Sequence, residues 1–341
     1  MFMAIMGTPS ALTQWVISLA NVIAESVVGK HSYLTAVNLF DLQNCWATRP
    51  HRPVVFHSDT PERALVDLLL NLPGPLVLVM EPTAAVVKYA AATRSLDQQT
   101  ALRFATRSVC SLAPLRMKPD VWIVSQSIMT CKVSDFIEEF ISYQLVDCTE
   151  AKMKEIKLKV LGPAGADLTV LDVVDSISAS AGIWPAVPAG NSVDLDACLG
   201  LLAQWYDRVW SGNLGQSILW PMDVFVRMSD LSYLNGPIDL VGPARVLVGG
   251  HALSLPEGDW RATTRIRVFD NFSGNTIQSD IFAEDILAAG VIALVPTFGI
   301  FEYSINFHCR DPFFPIIFRI SILEGAIEGT LELESVSFKK I

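Results

Sequence analysis

In the first half of the chain, short apolar runs alternate with stretches where apolar residues recur every three or four positions. Val54, Val55 and Phe56 form one such run, between Pro53 and His57. A short apolar run rich in β-branched residues reads as a strand. Ser58-Asp59-Thr60-Pro61-Glu62 then supplies a capping side chain, a proline and an acid for the first turn of a helix. Ala64, Leu65, Leu68 and Leu69 fall on one face of it, and Pro73-Gly74-Pro75 ends it. Leu76 to Met80 is apolar on both faces, as a central strand covered on both sides requires. Pro82-Thr83 opens a helix to about Arg94, and Ser95 is expected to cap the next, whose apolar set includes Leu96, Ala101, Phe104 and Val109. Val121 to Val124 reads as a third central strand. Residues 133–145 read as an amphipathic helix with Phe136, Ile137, Phe140 and Ile141 inward. Strand and helix in alternation predict a parallel sheet with right-handed crossovers. Such sheets bind ligands at the carboxyl ends of their strands. Here those ends are His57-Ser58-Asp59-Thr60, Glu81 and Ser125-Gln126-Ser127.

From about residue 243 the period changes from three-to-four to two. Trp260, Ala262, Thr264, Ile266 and Val268 fall on one side, with Arg261, Thr263, Arg265, Arg267 and Phe269 on the other. Tyr303, Ile305, Phe307 and Cys309 alternate with Ser304, Asn306, His308 and Arg310, and Ile316, Phe318, Ile320 and Ile322 with Arg319 and Ser321. Successive side chains of a strand point to opposite faces. Turn signals at Gly249-Gly250, 256–259, 271–275 and 296–299 separate these runs, which predicts an antiparallel, jelly-roll-like β-sandwich. The expected fold class is therefore an α/β parallel-sheet domain followed by a β-sandwich. The segments are residues 1–50 (a helix and lead-in), 51–150 (α/β), 151–242 (a mainly helical connection) and 243–341 (sandwich).

Residues 1–24 carry no charge. Ser10 suits the N-cap of a helix near residues 11–28, and Leu12, Trp15, Val16, Leu19, Ala20 and Ile23 share one face. That face either packs on the protein or docks on a membrane or partner. In the connection, Gly162 to Asp167 reads as a turn, residues 176–192 as a linker, and 194–210 as a helix bearing Trp205, Tyr206 and Trp210. His251, after two glycines, reads as a turn residue.

Composition narrows the classes. Hydrophobic residues are 51% and charged residues 18% of 341, which excludes a disordered chain or a coiled coil. The 25 basic residues against 35 acids (net −10) exclude a general nucleic-acid binder, which needs surplus cations for phosphates. Six cysteines lie far apart with no paired spacing, so neither a structural zinc nor any other metal is expected, and a reducing, cytoplasmic setting is. No cofactor is expected.

Leu76 to about Asp147 resembles the second half of a P-loop sulfotransferase, with an apolar strand, a turn at Met80-Glu81-Pro82, two helices, a strand and a closing helix. The resemblance implies a transferase using a phosphorylated nucleotide. Glu81 stands where that family has an arginine for the nucleotide 3'-phosphate. The phosphate loop is also missing, His57 to Pro61 standing in its expected place. That loop has no glycine, and Asp59 would repel phosphate. Residues 243–338 resemble the accessory carbohydrate-binding-type sandwiches of polysaccharide-synthesis proteins. The carriers are Ser254-Leu255-Pro256-Glu257-Gly258-Asp259-Trp260-Arg261, Asp270-Asn271 and Ser273-Gly274-Asn275.

The candidate residues follow from these placements. His57, Ser58, Asp59 and Glu81 are catalytic candidates at the strand ends, and Thr60 and Arg63 are candidates for a cofactor phosphate. Arg261, Arg265, Arg267, Asn306, His308 and Arg310, with Arg319, form an outward polar set on the sandwich, suited to an acidic glycan or an acidic protein partner. The alternative for that set is a solvated face of cross-strand pairs. The expected function is that of a non-catalytic or degenerate protein of cell-surface polysaccharide metabolism. The rivals are a working sugar-modifying transferase and an assembly subunit docking through residues 11–28, which requires an exposed apolar patch around Trp15.

Overall fold

The computed structural model describes residues 1–162, 168–182, 195–250, 252–293 and 295–341. The predicted turn at 163–167, most of the predicted linker and His251 lie outside the described residues. The chain forms two compact units, residues 1–189 and 190–341.

The first unit runs β1 (Phe2–Gly7), α1 (Ala11–Val28), β2 (Ser32–Thr35), α2 (Leu39–Thr48), β3 (Val54–Ser58), α3 (Arg63–Asn71), β4 (Leu76–Val79), α4 (Thr83–Arg94), α5 (Gln98–Leu112), β5 (Val121–Val124), α6 (Val133–Tyr143), α7 (Glu150–Leu161) and α8 (Val170–Ser180). Its five strands pair in parallel in the order β2-β3-β1-β4-β5. The predicted strands 53–57, 76–80 and 121–124 are all present. The strand at the centre, β1, lies in the stretch expected to be only helix and lead-in. Its sequence Met3-Ala4-Ile5-Met6 is uncharged and runs into the apolar helix, so no break in hydropathy marks it.

Met3, Ile5, Val55, Val77 and Val79 join one core cluster with α1, α6, α7 and α8. The alternate residues Ala4, Met6, Val54, Phe56, Leu76 and Leu78 are equally buried, so both sheet faces are covered. Ser10 caps α1 by accepting from the Thr13 N–H at 3.1 Å. α1 is long and apolar enough to cross a membrane, but Leu12, Trp15, Val16, Leu19, Ala20 and Ile23 face the core. Trp15 is only 4% exposed and packs on Phe136, with ring centroids 4.9 Å apart. The exposed patch that docking through α1 requires is not there. Ile156 of α7 and Val170 and Val174 of α8 belong to this core too, so residues 150–180 complete the α/β unit rather than connect it to anything. Ser95 ends α4 in the left-handed conformation (φ 53°), and α5 is capped two residues later by Asp97. Asp97 accepts from two backbone N–H groups where the expected Ser95 cap makes no such bond.

The second unit runs α9 (Leu195–Ser211), β6 (Ile218–Trp220), β7 (Phe225–Arg227), β8 (Ile238–Asp239), β9 (Arg245–Gly250), β10 (Gly258–Phe269), β11 (Ile277–Phe282), β12 (Ile286–Ile292), β13 (Gly299–Cys309), β14 (Ile317–Ile322) and β15 (Thr330–Lys340). It is an antiparallel β-sandwich. One sheet has the order β13-β10-β15-β6, with β8 also on β15, and the other β12-β11-β14-β9-β7. The predicted alternation holds: Trp260, Ala262, Thr264, Ile266, Val268, Ile305, Phe307, Phe318, Ile320 and Ile322 are buried. β6, β7 and α9 add to this unit from a region expected to be a connection. Trp205 lies over Trp260 with centroids 6.1 Å apart, and the Tyr206 hydroxyl donates to the Ser254 carbonyl at 2.7 Å. The aromatic cluster is therefore sandwich core. Gly258 opens β10 at φ +135°, and an added Cβ would come within 2.7 Å of Lys340 Cε. The Trp260 indole N–H donates to the Pro256 carbonyl at 2.9 Å, pinning the same turn.

Candidate functional site

The sheet order makes β1 the central strand, so the loop where a phosphate cradle would lie is Thr8-Pro9-Ser10, entering α1. The sequence reading placed it at residues 57–61. The loop that is present is closed. An added Cβ at Gly7 would sit 2.7 Å from Thr13 Oγ1 and 2.9 Å from Val79 Cβ. Thr8, Ser10, Thr13 and Glu81 are all buried. The Glu81 carboxyl group is buried beside Ser10 and the Leu12 backbone, at the first turn of α1. Burial pushes its carboxyl above the usual range, and Ser10 and Leu12 oppose the shift. A helix N-terminus attracts anions through its free N–H groups. Here the chain's own Glu81 side chain fills that position, so Glu81 is a plug and not a member of the strand-end cleft.

That cleft lies at the carboxyl ends of β2 and β3 and has a volume of about 580 Å³. His57, Ser58 and Asp59 line it, as the sequence placed them. Tyr33, Thr35, Asp41, Asn44, Cys45 and Arg94 line it as well, and the sequence reading missed them. They come from β2 and α2, inside the stretch read as lead-in, and from the last turn of α4. The signal available was Arg94 at a helix end, where a cation is favoured. The His57 ring donates from Nδ1 to the Ile5 carbonyl at 2.9 Å, which leaves Nε2 as an acceptor. Burial lowers its pKa, more than the Ile5 carbonyl and Asp59 raise it. Arg94 Nη2 lies 2.6 Å from Asp59 Oδ2, and its guanidinium carbon stands 3.9 Å over the Phe104 ring. Thr60 is buried and donates to Asp59 Oδ1 at 3.1 Å. Arg63 pairs instead with Asp67 on its own helix at 2.9 Å, outside the cleft lining.

On the sandwich, the outward side chains of β10 and β13 meet across strands. Arg261 Nε donates to Asn306 Oδ1 at 3.1 Å, and His308 Nδ1 lies 2.8 Å from Asp259 Oδ1. The register of β10 on β15 shifts between Arg265 and Ile266, leaving Glu334 bulged out of the ladder. Its carboxylate takes both arginines, Arg265 Nε at 2.7 Å and Arg267 Nη2 at 2.5 Å. Arg265 and Arg267 are thus ion-paired on this face. Arg310 falls just past β13 and lines a separate pocket of about 170 Å³ with Glu284, Asp285 and Asp311.

The other sheet carries a different arrangement. Ile277, Ser279 and Ile281 of β11 point inward, so Gln278, Asp280 and Phe282 share its outward face. Asp280 pairs in register with Arg319 of β14. Arg319 Nε donates to Asp280 Oδ1 at 2.7 Å, and its guanidinium carbon lies 4.8 Å from the Phe282 ring centre. Gln278 Nε2 reaches Asp280 Oδ2 at 3.4 Å. The Asp280 side chain is 4% exposed although it faces outward, while Arg319 is 30% exposed.

No family model matches the chain, and no curated protein matches it. Partial likenesses to solved structures exist. A mouse sulfotransferase complexed with PAP matches 46% of this chain at 9% identity and a TM-score of 0.34, and the chain spans 62% of that protein's length. The xylan-binding module CBM15 matches 37% of this chain and 97% of its own at 12% identity and a TM-score of 0.26. The C-terminal domain of EclA, a sugar-binding protein, matches 57% and 98% at 12% identity and a TM-score of 0.21. The likenesses concern fold; any functional reading rests on the residues above.

Proposed function

We propose that the protein contacts a glycan through the outward face of the β12-β11-β14-β9-β7 sheet, and that its α/β unit is a degenerate, non-transferring scaffold in cell-surface polysaccharide metabolism. One observation carries the glycan part: Arg319 pairs with Asp280 and stands with its guanidinium carbon 4.8 Å from the Phe282 ring centre. Arg319 bonds Asp280 through Nε and is 30% exposed, so its two Nη groups keep N–H donors for a ligand. Asp280 is buried and orients Arg319, while the half-buried Gln278 amide beside it supplies an acceptor. Donors and acceptors beside an aromatic ring suit a sugar, whose hydroxyls need both and whose C–H face packs on the ring. On β10, Arg265 and Arg267 instead share the single carboxylate of Glu334.

The scaffold part rests on Glu81. Its carboxylate at the start of α1 repels the phosphate that a nucleotide-dependent transferase must hold there. The experiment is a glycan-array screen of the full chain, followed by Phe282→Ala and Arg319→Ala on any oligosaccharide retained. Each substitution is expected to weaken binding at least tenfold, about 1.4 kcal/mol. Retention unchanged in both variants contradicts the assignment.

A further inference from the structure

We infer that the α/β unit carries its own small-molecule site, in the cleft at the ends of β2 and β3, for an uncharged polyhydroxylated ligand. This site is independent of the glycan face on the sandwich. The cleft's volume, about 580 Å³, is that of an ordinary ligand pocket, and four elements and a helix end converge on it. Its charges decide the ligand class. Among the described residues that line it, Arg94 is the one Lys or Arg, and Asp59 neutralises it at 2.6 Å. Phe104 covers that guanidinium from another side. Asp41 adds a second carboxylate to the lining. Two acids against one committed cation repel phosphate, sulfate and carboxylate groups.

The uncharged lining groups offer both signs of hydrogen bond. His57 is locked by Ile5 with Nε2 as acceptor, and the Tyr33 hydroxyl and the Asn44 amide can give or accept. Ser58 adds an independent sign. It lines the cleft, is 3% exposed, and its hydroxyl oxygen has no hydrogen-bond partner among the described residues. A buried hydroxyl left unpaired is costly, and a hydroxylated ligand can supply the missing bond.

The test follows the His57 Cε1–H resonance of the full chain by NMR, assigned through His57→Gln, because that proton reports this cleft and not the sandwich. The probes are methyl β-glucoside and N-acetylglucosamine, with glucose 6-phosphate and glucuronate as charged counterparts. The expected result is a saturable shift with a neutral probe, at least tenfold weaker with its charged counterpart. Asn44→Ala, on the exposed side of α2, is expected to weaken the neutral titration at least fivefold. A resonance that neither neutral probe moves, that the phosphate ester moves as readily, or that titrates identically in Asn44→Ala overturns the proposal. None of these outcomes depends on whether the sandwich binds glycan.

Discussion

The buried carboxyl group of Glu81 lies beside the backbone of Leu12, in the first turn of the helix that follows the central strand. Burial raises the Glu81 pKa above the usual 4.5, so folding disfavours the charged form. A carboxyl with a raised folded pKa contributes most stability below pH 4.5 and loses it as the pH rises through the folded value. Glu81→Gln keeps an acceptor beside Leu12 and removes the charge. The variant is expected to melt about 2–4 °C higher than the wild type at pH 8, for a gain of about 1 kcal/mol. The gain should vanish at pH 4. A variant that melts lower at both pH values contradicts this account of the plug.

His57 works in the opposite sense. Its pKa is lowered from 6.5, chiefly by burial. The unfolded chain therefore takes up a proton more readily than the folded one. The stability His57 contributes is complete above pH 6.5 and is lost as the pH falls below it. Denaturant midpoints at pH 7.5 and 5.5 should differ less in His57→Gln than in the wild type.

Gly7 ends β1 just before the turn into α1. A Cβ there meets Thr13 Oγ1 at 2.7 Å and Val79 Cβ at 2.9 Å, and Val79 is rigid core. Gly7→Ala is expected to cost about 1–3 kcal/mol by overpacking. Urea unfolding of the first unit's transition measures it.

These residues also show what the sequence could and could not say. The period-two alternation from Trp260 to Val268 and the apolar runs at 76–80 and 121–124 were legible, because each buries one set of faces with one rhythm. β1 was not, because Met3 to Met6 merges into an apolar helix without a polar break. Missing β1 moved the phosphate loop to the wrong strand, and with it the role of Glu81. His57, Ser58 and Asp59 were found because strand ends bind ligands in such sheets. Arg94 and Asn44 were not, since they reach the cleft only through helix packing. The pairing of Asp280 with Arg319 depends on register between strands 39 residues apart, which no local pattern encodes.

Glu334 is bulged from β15 and holds Arg265 and Arg267 on an exposed face. Partly exposed ion pairs are worth about 0–1 kcal/mol and weaken with salt. Glu334→Gln should cost no more than about 1 kcal/mol at low salt, less in 1 M salt, and should leave oligosaccharide binding intact.

The central claim is that this chain meets glycans and does not hold a nucleotide phosphate. The most direct measurement is the thermal shift of the full chain with oligosaccharides and, separately, with adenosine 3',5'-bisphosphate. Ligand at a hundred times its dissociation constant stabilises by about 2.7 kcal/mol. The account predicts a shift of several degrees with an oligosaccharide and none with the nucleotide. A shift with the nucleotide and none with any oligosaccharide contradicts it.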